Sequence, residues 1–210
     1  MDWILYVITD AKLSHGRSHL EVAQAAIEGG ASIIQFREKE MTTRQLMETA
    51  RKIKELTDKA NIPLIVNDRL DVALAVDADG VHVGQDDMPA TLARQLIGPH
   101  KILGVSASTV EEALQAEKDG ADYVSASPVF TTPTKPDAPS PTGLEGLRAI
   151  VEAVNLPVIA IGGINEENAT EVIACGADGV AVISAVVSAP DITAAARRLR
   201  ETVEAARKGA

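Results

Sequence analysis

Short apolar runs alternate along the chain with longer stretches in which apolar residues recur at helical spacing. Ile4 to Thr9 forms the first run, and Ser32 to Phe36 the second. Pro63 to Val66 and Val81 to Val83 are the third and fourth, followed by Lys101 to Ala107 and Tyr123 to Ser127. Val158 to Ile161 and Val180 to Ile183 complete the set. Runs of three to seven residues suit strands, and near-continuous hydrophobicity is the mark of parallel strands buried on both faces. The intervening stretches carry helix start and stop signals. Ser18 with Glu21, Thr42 with Gln45, Thr109 with Glu112 and Thr142 with Glu145 have capping-box spacing. Gly29-Gly30, Gly98-Pro99, Gly120 and Gly176 close helices. The last helix is expected over most of Asp191 to Ala206.

Strict strand–helix alternation predicts a parallel sheet. Gly30-Ala31-Ser32, Ala78-Asp79-Gly80, Gly120-Ala121-Asp122 and Gly176-Ala177-Asp178 each precede an even-numbered strand, so a βαβα quarter recurs. Eight strands with eight helices is the count of a (β/α)₈ TIM barrel, expected as one domain over residues 1–210. An open doubly wound sheet ranks behind it, because the count closes at eight.

Composition narrows the function. Of 210 residues 46% are hydrophobic, enough for a compact core, and the formal charge is −10 without any basic block, which argues against nucleic acid. Nothing approaches the roughly 20 apolar residues of a membrane span, and MDWILYVITD lacks the basic start of a secretory signal. The single cysteine, Cys175, excludes an internal disulfide. The expectation is a soluble cytoplasmic protein acting on small molecules; a homo-oligomer is compatible with the sequence.

In such a barrel the active site lies at the C-terminal strand ends, and those ends are polar. They carry Arg37 and Lys39, Asn67 and Asp68, Gln85 and Asp87, Ser106, Ser127, then Thr132, Thr134 and Lys135. The N-terminal ends carry mostly turn residues. Asp68 and Asp87 follow neighbouring strands, about 4.8 Å apart in a parallel sheet. Two carboxylates so close repel unless one is protonated or a cation lies between them, and Mg²⁺ with substrate phosphate in its shell suits them. The plainer reading of Asp68 is a cap for the following helix. Gly162-Gly163 and Ser184-Ala185 occupy the usual phosphate address after strands seven and eight. Arg37, Lys39 and Lys135 could hold a more highly charged group such as a diphosphate, with the Thr131–Lys135 loop closing over it. Asp79, Asp122 and Asp178 read as turn residues, His82 as a packed barrel histidine, and His15, His19 and His100 as surface or loop residues. Glu38 reads equally well as a site residue or as a solvated or paired carboxylate.

Gln35-Phe36-Arg37-Glu38-Lys39, Val66-Asn67-Asp68, Gly80-Val81-His82-Val83-Gly84-Gln85-Asp86-Asp87, Gly104-Val105-Ser106-Ala107, Pro128-Val129-Phe130 with Thr132-Pro133-Thr134-Lys135, and Ile161-Gly162-Gly163-Ile164 together resemble thiamine phosphate synthases over nearly the whole chain. The resemblance implies joining of hydroxymethylpyrimidine diphosphate to a thiazole phosphate, with release of pyrophosphate. It implies Asp68 and Asp87 as Mg²⁺ ligands, and Gln35, Arg37, Lys39, Asn67 and Lys135 as contacts of the pyrimidine diphosphate. It further implies Ser106 beside the departing group, and Thr132, Thr134, Gly163, Ile183 and Ser184 around the thiazole phosphate. Arg37, Lys39, Ser106 and Lys135 are the catalytic candidates. Ser125 and Ser127 stand where the family usually has glycine, and Ser108 where histidine is common. The alternatives are a thiazole tautomerase of the TenI type, disfavoured by Pro128 and the intact Thr132–Lys135 motif, and a regulator that only binds thiamine precursors. A phosphosugar isomerase or aldolase would want a Schiff-base lysine or an acid–base pair, and neither is evident.

Overall fold

A computed structural model describes residues 1–132 and 140–209. The eight strands are β1 (Leu5–Thr9), β2 (Ile33–Phe36), β3 (Leu64–Asn67), β4 (Gly80–Val83), β5 (Ile102–Ala107), β6 (Tyr123–Ala126), β7 (Val158–Ile161) and β8 (Gly179–Val182). They pair in chain order, all parallel, and β8 returns to β1 to close the barrel. The helices are α1 (His19–Glu28), α2 (Thr43–Ala60), α3 (Leu70–Ala75), α4 (Ala90–Ile97), α5 (Val110–Lys118), α6 (Gly143–Ala153), α7 (Ala169–Ala174), α8 (Ser184–Val187) and α9 (Ile192–Gly209). The expected closed barrel is observed, with one short extra helix, α8, where a Ser184 turn was expected.

Two apolar layers hold it together. Tyr6, Ile8, Ile33, Ile65, Tyr123, Ile159 and Ala181 fill the barrel interior. The larger layer, between strands and helices, includes Val7, Ile34, Val66, Val105, Ala160 and Val180. Alternate residues of each strand serve the two layers, which is why nearly every strand position is apolar.

The recurring turns before the even strands have a common task. The Ser32 hydroxyl accepts from the Leu5 amide at 3.0 Å. Asp79 accepts from Leu64 N at 2.8 Å, Asp122 from Leu103 N at 2.7 Å and Asp178 from Val158 N at 2.9 Å. Each side chain at the entrance of an even strand therefore latches the first residues of the preceding odd strand. The three aspartates are turn residues, as expected, with a barrel-closing role that satisfies otherwise orphaned amides.

Helix starts are mixed. The capping boxes of Ser18–Glu21 and Thr42–Gln45 both form. Thr109 accepts from Glu112 N, but the Glu112 carboxylate accepts instead from Ser108 N and Oγ. Thr142 makes no cap: its hydroxyl donates to the Pro128 carbonyl, which ties the helix start to the end of β6. That strand stops at Ala126, one residue short of expectation, and the Ser127–Pro128 peptide beyond it is cis.

Candidate active site

One pocket opens at the C-terminal ends of the strands. Gln35, Arg37, Lys39, Asn67, Asp68, Asp87, Ser106, Thr132, Gly163, Ile183 and Ser184 all line it. Thr134 and Lys135 lie outside the described residues. The wall also contains Tyr6, Ile8, His82, Gly84, Ser125 and Ser127.

Asp68 immediately follows β3 in the left-handed region, φ 59°, a conformation uncommon outside glycine and costly for a side chain. Its amide donates to the His82 carbonyl at 2.9 Å, which continues the strand pairing past β3 and fixes where the carboxylate leaves the barrel. Asp68 does not cap α3: the capping position is Arg69, with no side-chain bond. Instead the carboxylate faces Asp87 and approaches the Lys39 ammonium at 3.7 Å. Burial, then the neighbouring Asp87 carboxylate, push Asp68 up to about 6, against the pull of Lys39 and Arg37. Asp87 is held from below by the Gly84 amide, 2.8 Å from its Oδ2. Two facing carboxylates whose repulsion the nearby Lys39 and Arg37 do not overcome make a cation-seeking site. Among the described residues no group of three or more His, Cys, Asp or Glu side chains forms a metal cage. Two carboxylates with the remaining positions left to substrate oxygens and water fit Mg²⁺, which dehydrates reluctantly and favours that arrangement.

On the adjoining strand end, Arg37 Nη1 donates to Asp10 Oδ2 at 2.7 Å. Asp10 closes β1 and is nearly buried, so it orients the guanidinium while leaving the rest of the fork available to an anion. Asp10 was absent from the sequence candidates; its place after an apolar run, like that of Asp68, was the available signal. Glu38 resolves as a paired carboxylate. His19 Nε2 lies 3.0 Å from it and His19 Nδ1 lies 2.8 Å from Thr9 Oγ1. Burial opposes charge on Glu38, but hydrogen bonds from His19 and from the Glu40 and Lys39 amides outweigh it and hold the carboxyl below its ordinary range. His19 is therefore buried under β2, contrary to its expected surface position, because the first turn of α1 packs its ring edge-on against Phe36.

The far side of the mouth is made of backbone. Gly162 and Gly163 both have positive φ, 103° and 67°. A Cβ at Gly162 would meet Pro128 at 2.5 Å, and one at Gly163 would meet Phe130 and the Thr131 carbonyl at 2.8 Å. Packing of the post-β6 segment over the end of β7 alone requires these glycines. The segment is pinned there by Val129 N to Ile161 O at 2.8 Å and Phe130 N to Gly162 O at 3.0 Å. Ser184 sits opposite, as the first residue of α8. Below the mouth, a run of hydrogen-bonded side chains leads from Gln35 through Tyr6, Tyr123 and His82 to Ser106; all but Tyr123 line the pocket.

Residues 5–186 match the family model described as thiamine monophosphate synthase. The chain belongs to that family. It is 63% identical to the thiamine-phosphate synthase of Chloroflexus aurantiacus over 97% of this chain and 94% of that protein. It is 60% identical to that of Moorella thermoacetica, over 98% of each. The solved thiamine phosphate pyrophosphorylase of Pyrococcus furiosus superposes with a TM-score of 0.91 at 49% identity, over 98% of this chain and 97% of that one. Family membership makes the pocket at the strand ends the place to look for transferase chemistry, and sets aside the aldolase and isomerase readings.

Proposed function

We propose that the pocket joins hydroxymethylpyrimidine diphosphate to a thiazole phosphate, with Mg²⁺ held between Asp68 and Asp87. The activity itself, that of a thiamine-phosphate synthase and a transferase, follows from the family and the relatives. The metal and the residue roles are the proposal, and the facing pair Asp68–Asp87 is the observation that carries it.

The reaction breaks the bond between the pyrimidine methylene carbon and the diphosphate oxygen. The electron pair leaves with pyrophosphate, and the thiazole nitrogen supplies the pair for the new carbon–nitrogen bond. The cation between is stabilised by the pyrimidine's own amino group, so the protein has little acid–base work and much charge to stabilise. When bound, Mg²⁺ supplies a Lewis acid that neutralises charge growing on the leaving oxygens. Arg37, oriented by Asp10, and Lys39 present fixed positive charge to the same group. Gln35 and Asn67 orient the pyrimidine, and Ser106 donates to the departing diphosphate. Gly163, Ile183, Ser184 and Thr132 surround the thiazole phosphate, with Ser125 and Ser127 adding hydroxyls to that wall. Thr134 and Lys135, outside the described residues, are expected substrate contacts. The partners are small molecules rather than nucleic acid. The working compartment is the cytoplasm, in keeping with a lone buried thiol and phosphorylated substrates; among the described residues no helix is long and apolar enough to cross a membrane.

The test is pyrophosphate release with both substrates, with Mg²⁺ supplied or chelated. Release that requires Mg²⁺ and is matched one for one by thiamine phosphate is expected. Release in the presence of a chelator at the same rate would remove the metal from the proposal. Isomerisation of the thiazole without release would favour the tautomerase reading.

A further inference from the structure

The barrel interior carries a continuous line of polar groups, from Gln35 to Ser106, whose three middle members, Tyr6, Tyr123 and His82, have no part in the transferase chemistry above. Gln35 Nε2 donates to Tyr6 Oη at 2.8 Å. Tyr6 Oη lies 2.9 Å from Tyr123 Oη, and Tyr123 Oη lies 2.9 Å from His82 Nδ1. His82 Nε2 lies 2.9 Å from Ser106 Oγ. The line crosses five strands, β2, β1, β6, β4 and β5. It is sterically prepared: a Cβ at Gly104 would lie 2.1 Å from Tyr123 Cζ, so only glycine lets the ring reach the barrel axis.

Proton counting gives the line a direction. A tyrosine hydroxyl has one proton. Tyr6 Oη accepts from Gln35 and, among the described residues, has no acceptor for its own proton other than Tyr123 Oη; the Tyr123 proton then goes to His82 Nδ1. An imidazole that accepts at Nδ1 has no proton there and is neutral, and burial disfavours charge on the ring as it does on both phenols. A neutral His82 that accepts at Nδ1 carries its proton on Nε2 and donates it to Ser106 Oγ. Among the described residues His82 is the sole partner of that hydroxyl. The Ser106 proton is left pointing at the pocket that Ser106 lines.

We propose that Tyr123 and His82 are positioning residues whose one-way hydrogen-bond line sets the Ser106 hydroxyl as a donor into the pocket, toward an anionic oxygen of the departing diphosphate. Tyr123 does this from outside the pocket wall, without touching substrate. Donation that is oriented before the bond breaks strengthens as charge grows on the leaving oxygen, so it acts on kcat rather than on ground-state binding. The identity of the facing group rests on the synthase reading; the direction of the line does not.

The experiment reads both, separately. In the full-length protein with ¹⁵N-labelled histidines and no substrate, long-range proton–nitrogen correlations at pH 7 report the His82 tautomer, assigned by loss of the signal in His82→Gln. A neutral ring protonated at Nε2 is expected. A ring protonated at Nδ1, as when the Gln35 amide presents its oxygen to Tyr6, or an imidazolium would overturn the proposal. In Tyr123→Phe the Nδ1 resonance is expected to move and kcat to fall about tenfold with both KM values within about twofold. An unchanged kcat, or a loss confined to KM, would overturn the role even if the tautomer is as stated. Failure of the wild type to make thiamine phosphate would count against the synthase reading and leave the tautomer result standing.

Discussion

The two rims of the barrel are built by opposite rules. At the N-terminal rim, Ser32, Asp79, Asp122 and Asp178 make the same latch four times, each satisfying a backbone amide of the neighbouring strand. Among the described residues of the C-terminal rim nothing repeats: Asp10 pairs with Arg37, Asp68 faces Asp87, and Gly162-Gly163 lie beneath the Pro128 turn. Aspartate serves both rims, yet only one rim leaves a carboxylate facing another. At the lower rim the side chains find backbone donors, so their charge is compensated within the protein. At the upper rim Asp10 is paired with Arg37, but the repulsion between Asp68 and Asp87 is only partly offset. Stability and function are thereby separated along the barrel axis, as the fold permits.

The largest expected effect breaks the upper rim. Asp68→Ala or Asp87→Ala should lower Mg²⁺-dependent turnover by about a hundredfold or more while the fold survives. Asp68→Asn should also raise the stability of the ligand-free protein at pH 7 by about 1 kcal/mol, because it removes half of a repelling pair; the modest figure allows for partial solvent screening. Turnover at wild-type level in both alanine variants would sink the metal assignment. The converse change, Asp178→Ala, should cost about 1–3 kcal/mol of stability through the unsatisfied Val158 amide, and leave kcat/KM unchanged. Urea unfolding beside steady-state kinetics checks both.

A smaller effect divides two upper-rim groups by sign. His82 is depressed from 6.5 to about 4, so the unfolded chain binds its proton first. Its contribution is full above pH 6.5 and is lost as pH falls through 4, in total about 3 kcal/mol. Asp68, raised from 3.8 to about 6, works the other way: the fold favours its proton, so its contribution grows as pH drops from 6 toward 3.8. The two partly cancel between pH 4 and 6. Removing the Asp68 titration with Asp68→Asn should therefore steepen the acid-side loss of stability seen in urea melts. A shallower slope would contradict the assignment. The smallest effect expected is at Asp10: Asp10→Asn keeps the fold and lowers kcat/KM for the pyrimidine diphosphate several-fold, about 1 kcal/mol, by loosening Arg37.

Much of this was legible in the chain. Eight apolar runs with turn signals between them specify the barrel, because parallel strands buried on both faces have no other way to be written. The fourfold turn echo was visible as well, though its latch was not, since the amide each side chain reaches belongs to the preceding strand. The strand-end rule brought Arg37, Lys39, Asn67, Asp68, Asp87 and Ser106 to one pocket. What escaped depended on distance in sequence or on local competition. Tyr6 and Tyr123 meet across 117 positions, and no periodicity foretells it. Thr142 had the spacing of a cap, yet the Pro128 carbonyl competes for its hydroxyl. Ser184–Val187 is one helical turn, too short for any pattern to show. His19 sits on an otherwise plain helix start, and its buried partners Thr9 and Glu38 come from two other elements.

The most direct test of the division between rims is a thermal melt with Mg²⁺ and pyrophosphate together, run on the wild type, Asp68→Asn, Asp87→Asn and Asp178→Ala. The expected result is an equal rise in Tm for the wild type and Asp178→Ala, lost with chelator and lost in both upper-rim variants. A rise that persists in Asp68→Asn and Asp87→Asn, or that survives chelation, would contradict the claim that the facing carboxylates hold a metal for the diphosphate.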